Sequence, residues 1–159
     1  MPETAENVAE AYKVDRASQD SFALRSQQRA AAAQKAGIFA EEIVPVKVAE
    51  PKGAVKVISE DEHLRPDTTL EAFGKLPTPF RKNGSVTAGN ASRINDGACA
   101  LFIASEKAAS KFGLTPVAVV GSATAGVEPK MMGIGPIPAI RKLLGRLNLA
   151  IADISSGVE

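Results

Sequence analysis

The pattern of apolar and polar residues first predicts helices. Asp15 has the character of an N-cap for a helix over residues 16–36, which Gly37 would end. A shorter helix would precede it, capped by Thr4 and ending near Tyr12. One face of the longer helix is expected to pack on a neighbour. Its members are Phe22, Ala30, Ala33 and Ala36.

Three further helices are predicted downstream from their capping residues. Thr69 would begin a helix over residues 70–76, and Ser105 one that runs to Phe112 and stops at Gly113. Pro136 stands in the first turn of an amphipathic helix. Its apolar stripe is Ile137, Ile140, Leu143, Leu144 and Leu147.

Strand patterns lie between these helices. Residues 42–48 and 55–58 predict a surface hairpin, with a turn of Pro, Lys and Gly between them. The continuous apolar runs 98–103 and 117–120 have the length of strands buried on both faces. Residues 149–154 predict one more short strand.

Composition excludes several classes of function. The 159 residues suffice for one domain, and 19 basic residues nearly balance 18 acidic ones. No basic stripe points to nucleic acid and no apolar run has membrane-spanning length. A single cysteine fits a reducing, cytoplasmic setting. The single histidine, His63, has no ligand partner at a recognisable spacing, so no metal site is expected.

The stretch from Val86 to Gly97 is the strongest candidate for chemistry. Its run of small and polar residues lets a ligand or a second backbone approach closely, and it leads into the apolar run 98–103. Loops at the ends of buried strands are where α/β proteins place ligands. A plain loop before a core strand fits the same residues.

Three motifs in this order resemble the thiolase family, whose enzymes make or cleave a carbon–carbon bond in 3-oxoacyl-CoA. Residues 87–100 match T-A-G-N-A-S-x-x-N-D-G-A-A-A at nearly every position, and residues 132–139 read M-G-I-G-P-I-P-A. Residues 4–9, T-A-E-N-V-A, are followed by Q-D-S-F-A at 19–23. The resemblance covers essentially the whole chain but only the middle of a thiolase.

The resemblance implies part of the layered α-β-α-β-α thiolase fold, with a mostly helical loop domain in the first half. Residues 1–95 would be the C-terminal part of the CoA-binding loop domain. Residues 96–116 would be the last strand and helix of the N-terminal half. Residues 117–159 would begin the C-terminal half.

The resemblance also implies a thiolase-type acyltransferase that lacks its reacting groups here. In the family the nucleophilic cysteine lies upstream of the matched region, and the N-E-A-F motif, a histidine and a second cysteine lie downstream. No residue of this chain is therefore assigned as catalytic, and the chain alone is expected to be inactive. Cys99 stands where the family commonly has alanine, and its apolar neighbours predict an inert core residue.

The CoA-binding side of the family is what the chain retains. By resemblance, Ser92 would hydrogen-bond the pantetheine arm, and Ala88 and Gly89 would leave room for it. Phe80 would pack along the pantetheine, and Arg65 would lie near the adenine and phosphates. Met132 and Met1 would line the acyl pocket. Coenzyme A would be a substrate, with no cofactor, and intact members are commonly homo-oligomers.

Three hypotheses follow. The first is a partial thiolase of fatty-acid, aromatic-acid or acetoacetyl-CoA metabolism. The second is a non-catalytic CoA-binding or scaffolding piece that needs a complementary chain. The third is a small α/β domain unrelated to CoA. With its two strands separated from most of their sheets, the chain is expected to self-associate through unpaired edges and bare apolar faces.

Overall fold

The computed structural model describes residues 1–115 and 117–155. The chain divides into two compact units. One comprises Ala9–Ser92 with Pro2, and the other Met1, Glu3–Val8 and the residues from Arg93 onward. The assignment of 1–95, 96–116 and 117–159 to parts of a thiolase stays a prediction.

Helices and one small sheet make up the described residues. The α-helices are α1 (Pro2–Tyr12), α2 (Arg16–Lys35), α3 (Leu70–Gly74), α4 (Glu106–Lys111) and α5 (Pro136–Leu147), and the strands are β1 (Val46–Ala49) and β2 (Val55–Ile58). Short 3-10 turns lie at Ile38–Glu41, Pro51–Gly53, Pro129–Ile134 and Ile151–Asp153.

The ends of α2 confirm the predicted caps. The Asp15 carboxylate accepts a hydrogen bond from the Ser18 backbone N–H at 2.8 Å, which lowers the pKa of Asp15 below its ordinary 3.8. Gly37 adopts a left-handed φ of 73°, and its N–H returns to the Gln34 carbonyl. The helix therefore begins and ends where its capping chemistry dictates.

The predicted packing of Phe22 was wrong. Phe22 is 48% exposed, and the Arg25 guanidinium lies 5.0 Å from its ring centroid. Asp20 is instead the buried residue of α2. With 3.6 residues per turn, two positions correspond to about 200°, so burying Asp20 turns Phe22 away from the protein.

Helix α1 begins two residues before the predicted cap. The Met1 carbonyl accepts hydrogen bonds from the N–H groups of Thr4 and Ala5, so Thr4 lies inside the helix. Pro2 explains the earlier start, because its fixed φ suits the first helical position and it has no N–H to leave unpaired.

Strands β1 and β2 form the predicted hairpin. They pair antiparallel, with Val46 opposite Ile58 and Ala49 opposite Val55. The connection turns through two left-handed residues, Lys52 at φ 71° and Gly53 at φ 83°.

Helices α3 and α4 also confirm their predicted caps, and α5 begins at Pro136, the proline predicted in its first turn. The hydroxyls of Thr69 and Ser105 accept hydrogen bonds from the backbone N–H three residues on, at 3.2 and 3.3 Å. Helix α4 is followed by Gly113 at φ 66°, and α5 is capped by left-handed Asn148.

The predicted strands at 98–103, 117–120 and 149–154 were wrong. Within residues 1–115 and 117–155, β1 and β2 pair only with each other. Leu101 is 85% exposed, Phe102 104% and Val117 95%. A strand buried on both faces needs neighbouring strands for its hydrogen bonds and packed layers on both sides, and the described residues supply neither. Residues 151–153 form a 3-10 turn instead.

Cys99 lies in the first of these segments and is exposed, so its predicted burial was also wrong. The cause is the same, because the apolar neighbours that would have enclosed it are themselves in solvent.

Buried residues are few and mostly close to one loop. In the Ala9–Ser92 unit the buried apolar residues are Phe73 and Val86, accompanied by Asp20 and Thr87. No helix among the described residues combines the length and the apolar character needed to span a bilayer.

Candidate functional site

The site begins with a closed turn at residues 87–91. The Ala91 N–H donates to the Thr87 carbonyl at 3.1 Å, which closes the turn. The Thr87 hydroxyl oxygen accepts from the N–H groups of Gly89 at 3.2 Å and Asn90 at 3.4 Å. Thr87 is completely buried, so the turn is organised around its side chain.

The Asn90 side chain binds the start of this turn, the backbone before it and α2. Its Oδ1 accepts from the Thr87 N–H at 2.7 Å. Its Nδ2 donates to the Ser85 carbonyl at 3.0 Å and to Asp20 Oδ1 at 2.9 Å. Both amide hydrogens and the carbonyl oxygen are thus used, which fixes the orientation of the side chain.

Asp20 joins the turn to α2 and, through Arg16, to α3. Arg16 Nε donates to Asp20 Oδ2 at 2.7 Å, one helical turn away. The terminal Nη2 of Arg16 donates to the carbonyls of Phe73 at 2.6 Å and Leu76 at 3.1 Å. A buried carboxylate is costly unless it is paired and hydrogen-bonded, and both oxygens of Asp20 have such partners.

Gly89 lies against the same helix. A Cβ at this position would stand 2.4 Å from Phe73 Cδ1 and 2.6 Å from Leu76 Cδ1. On that side, the missing side chain leaves room for the side chains of Phe73 and Leu76 and not for a ligand. This differs from the reason predicted from the sequence, and it follows from the close approach of the turn to a buried ring.

Ala88 within this packed turn and Ser92 directly after it are both exposed. The buried residues Val86 and Thr87 precede them. The turn therefore carries two small exposed residues on a backbone held from inside the unit. Such a surface can admit a narrow ligand and offer it a hydroxyl.

Arg65 and Phe80 lie in the same unit and are exposed. The backbone N–H of Arg65 donates to Gln27 Oε1 at 2.8 Å, which ties its loop to α2. Its guanidinium donates to the nearby carbonyls of Leu64 at 3.2 Å and Glu62 at 3.4 Å. Its loop is therefore anchored on α2, while the charged group lies at the surface.

Met1 and Met132 belong to the other unit. Within it, Asn7 Nδ2 of α1 donates to the Lys130 carbonyl at 3.1 Å. The γ-methyl of Val8 lies 3.5 Å from where a Cβ on Gly133 would stand. Helix α1, which follows Met1, thus contacts the turn that contains Met132. Both methionines are exposed.

A small pocket lies elsewhere in the Ala9–Ser92 unit, between the end of α2 and the loop after β2. Its volume is about 110 Å³, below the roughly 300 Å³ or more of typical ligand pockets. Its lining includes Ala30, Gln34, Phe39, Ile43 and Leu64, and no predicted site residue. Among residues 1–115 and 117–155, no cluster of His, Cys, Asp or Glu has the arrangement of a metal site.

Arg16 and Asp20 are the residues that sequence reasoning missed. Asp20 belongs to the Q-D-S-F-A motif, but the motif alone gives it no chemistry. The available signal was the pair itself, since a basic and an acidic residue four positions apart share a helix face. Its burial depends on Asn90, which lies 70 residues away in sequence.

Known relatives match this chain at high identity but over part of their length. The 3-oxoadipyl-CoA/3-oxo-5,6-dehydrosuberyl-CoA thiolase of Escherichia coli K12 is 63% identical over 97% of this chain and 39% of that protein. The β-ketoadipyl-CoA thiolase of Pseudomonas putida is 61% identical over 96% of this chain and 38% of its own. The chain thus spans about two fifths of the length of these relatives.

Solved structures give the same result for the fold. The acetyl-CoA acetyltransferase of Bacillus anthracis matches with a TM-score of 0.87 at 46% identity, over 96% of this chain and 39% of that one. Human mitochondrial 3-ketoacyl-CoA thiolase in complex with CoA matches with a TM-score of 0.84 at 48% identity, over 95% and 37%. The architecture is part of the α/β thiolase fold.

A comparison with protein families agrees with the sequence relatives and with the solved structures. The family described as "Thiolase, N-terminal domain" matches residues 1–107, about two thirds of the 159-residue sequence. The chain therefore belongs to the thiolase family.

Proposed function

We propose that this chain is the CoA-binding part of a thiolase, an acyltransferase that makes or cleaves 3-oxoacyl-CoA. The observation that carries the proposal is the turn at 87–91, which is held from inside, exposes Ala88 and is followed by exposed Ser92. It lies in a chain whose relatives are thiolases. One structural relative was solved in complex with CoA.

The proposed contacts divide along the length of the ligand. Ser92, Ala88, Gly89 and Phe80 would serve the pantetheine arm. Arg65 would serve the charged nucleotide end, because a guanidinium can pair with phosphate or stack on a base. Gly89 contributes by letting the turn lie close to Phe73, and its missing side chain is not itself the opening for the ligand.

Met132 and Met1 are proposed to line the acyl pocket with flexible thioethers. We favour a β-ketoadipyl-type acyl group, because two relatives named for that substrate are 61–63% identical, against 51% for a probable acetyl-CoA acyltransferase of Staphylococcus epidermidis.

CoA titration of the 159-residue chain tests the binding role. We expect measurable heat with CoA and an affinity about threefold to tenfold weaker in Ser92→Ala, the loss of one hydrogen bond. Ser26→Ala, an exposed serine on α2 in the same unit, is the matched control and should bind as the parent does. Absence of heat and of competition at millimolar CoA would refute the proposal.

No residue of this chain is proposed as catalytic, including Cys99. The chain alone should therefore show no thiolysis of 3-oxoacyl-CoA, and CoA itself would be consumed as a substrate only in a complete enzyme. Turnover at about 1 per second or faster by the purified chain would contradict this. A cytoplasmic location and a homo-oligomeric complete enzyme belong to the same proposal.

The second candidate is a CoA-binding or scaffolding piece that acts with a complementary chain. The exposed apolar segments at 98–103 and 117–120 favour it, because they offer unpaired backbone and apolar side chains to a partner. Co-expression with the remaining portion of a β-ketoadipyl-CoA thiolase tests it. Co-purification with thiolysis activity supports this candidate, and separate elution of the two chains contradicts it.

A further inference from the structure

We infer that Arg16, Asp20 and Asn90 form a positioning latch, which sets the shape of the turn at 87–91. The turn sets the width of the pantetheine slot, by which we mean the proposed binding surface at Ala88 and Ser92. The statement about the slot rests on the proposed function. The statement about the turn rests on the contacts of the latch alone.

Asn90 is the member of the latch inside the turn. Its three hydrogen bonds join the backbone before the turn, the backbone at its start and α2. Among residues 1–115 and 117–155 no strand pairs with residues 85–91, so this side chain performs the role that a neighbouring strand would otherwise have. A substitution that releases Asn90 therefore removes one hydrogen bond from the Thr87 N–H and one from the Ser85 carbonyl.

Asp20 is the member that fixes Asn90 in orientation. An asparagine amide can be rotated by 180° with little steric change, which exchanges its donor and its acceptor. A carboxylate can only accept, so Asp20 requires Nδ2 of Asn90 on its side. The acceptor Oδ1 must then face the Thr87 N–H, as observed.

Arg16 makes the position of the latch depend on α3. Its Nε neutralises the buried carboxylate while its Nη2 holds the carbonyls of Phe73 and Leu76. The side chains of those two residues fill the space in front of Gly89. One guanidinium thus sets both the orientation of Asn90 and the surface on which the turn lies.

Asp20→Asn is the sharpest substitution, because it keeps the size of the side chain and changes its chemistry. An amide has one acceptor oxygen, whereas Asp20 uses one oxygen for Arg16 and the other for Asn90. One of the two bonds must be lost. Glu71→Gln is the matched control, since Glu71 pairs with Lys75 four residues away in the same unit but in solvent.

Amide hydrogen exchange of the unliganded chain, read residue by residue by NMR, tests the latch without a ligand. We expect the N–H groups of Thr87, Gly89 and Asn90 to exchange about tenfold faster in Asp20→Asn, with the amides of the β1–β2 hairpin unchanged. Glu71→Gln should change neither set. Unchanged exchange in the turn, or equal acceleration in turn and hairpin, would overturn the inference.

Asn90→Ala keeps the test decisive if Asp20→Asn fails to fold. It leaves the Arg16–Asp20 pair intact and should accelerate the same three amides. If these amides exchange at the parent rate in Asn90→Ala, the inference is overturned.

Pantetheine titration then separates the latch from the proposed function. We expect Asp20→Asn to bind pantetheine at least tenfold more weakly than Glu71→Gln. Failure of the parent chain to bind pantetheine would refute the proposed function and the claim about the slot. The claim that the latch shapes the turn would still be tested by the exchange data. Equal affinity in both variants, with a loosened turn in Asp20→Asn, would overturn the positioning role.

Discussion

Gly89→Ala gives the most direct prediction from the packing of the turn. The added Cβ would stand 2.4 Å and 2.5 Å from two carbons of the Phe73 ring, distances that no unstrained contact allows. The ring is 3% exposed and cannot swing into solvent, so either the turn must lift from α3 or the ring must repack. Overpacking of this kind costs about 1–3 kcal/mol.

Urea unfolding followed by far-UV circular dichroism measures this cost. We expect the free energy of unfolding in urea to fall by about 1–3 kcal/mol. In thermal unfolding, each kcal/mol of this loss lowers the melting temperature of a chain of this size by about 2–4 °C. Gly74→Ala is the control, because a Cβ there meets nothing within 4 Å and the residue belongs to the same short helix as Phe73.

A double-mutant cycle with Phe73→Leu identifies the cause. If the ring is what excludes a side chain at 89, Phe73→Leu should recover at least about 0.5 kcal/mol of the Gly89→Ala loss, although it destabilises the chain by itself. A Gly89→Ala protein as stable as Gly74→Ala would show that position 89 tolerates a side chain. Stability losses of Gly89→Ala and Phe73→Leu that simply add in the double variant would exclude the ring as the cause.

Three further predictions concern a cap, an ion pair and an apolar surface. Thr69→Ala should cost about 1 kcal/mol by removing the N-cap of α3, measured by urea unfolding, and a wild-type midpoint would contradict this. Lys56 lowers the pKa of Glu62, and Glu62 raises the pKa of Lys56. The ion pair therefore stabilises the folded chain fully between the ordinary pKa of Glu62, 4.5, and that of Lys56, 10.5. This stabilisation is lost as pH falls through the lowered pKa of Glu62 or rises through the raised pKa of Lys56. In Lys56→Met the Glu62 pKa should rise toward 4.5 by NMR titration, and a value that stays low would exclude Lys56 as the cause. Phe102→Lys should reduce concentration-dependent self-association in sedimentation experiments more than the surface control Ser110→Lys, and equal effects would show that the apolar segment is not the contact.

The parts of the fold that sequence predicted well are those determined within a few residues. Asp15, Thr69 and Ser105 each cap the helix expected of them, because an N-cap needs only a side-chain oxygen and an N–H three residues later. Gly37 and Gly113 end helices through their own backbone conformation. The hairpin of β1 and β2 is likewise local, since only residues 50–54 connect its two strands.

The parts that sequence predicted poorly depend on distant partners. An apolar run such as 98–103 has the composition of a buried strand, but composition supplies no neighbour, and the described residues leave Phe102 in solvent. The burial of Asp20 is the converse case. A charged residue on an alanine-rich helix would be placed outside by its pattern, yet Arg16 and Asn90 together allow it inside.

The turn at 87–91 and the apolar segments differ in whether the described residues supply their partners. Every partner of Asp20, Asn90 and Gly89 described above lies within the Ala9–Ser92 unit, in α2, in residues 73–76 or in residues 85–90. Among the residues that the structure describes, the segments at 98–103 and 117–120 have no neighbouring strand, and they are the ones that a layered sheet would need. The proposed recognition of a pantetheine arm would then need only residues of this unit. A reaction at the thioester would require the sheet around these segments as well. CoA binding by this chain without turnover is the outcome that this difference predicts.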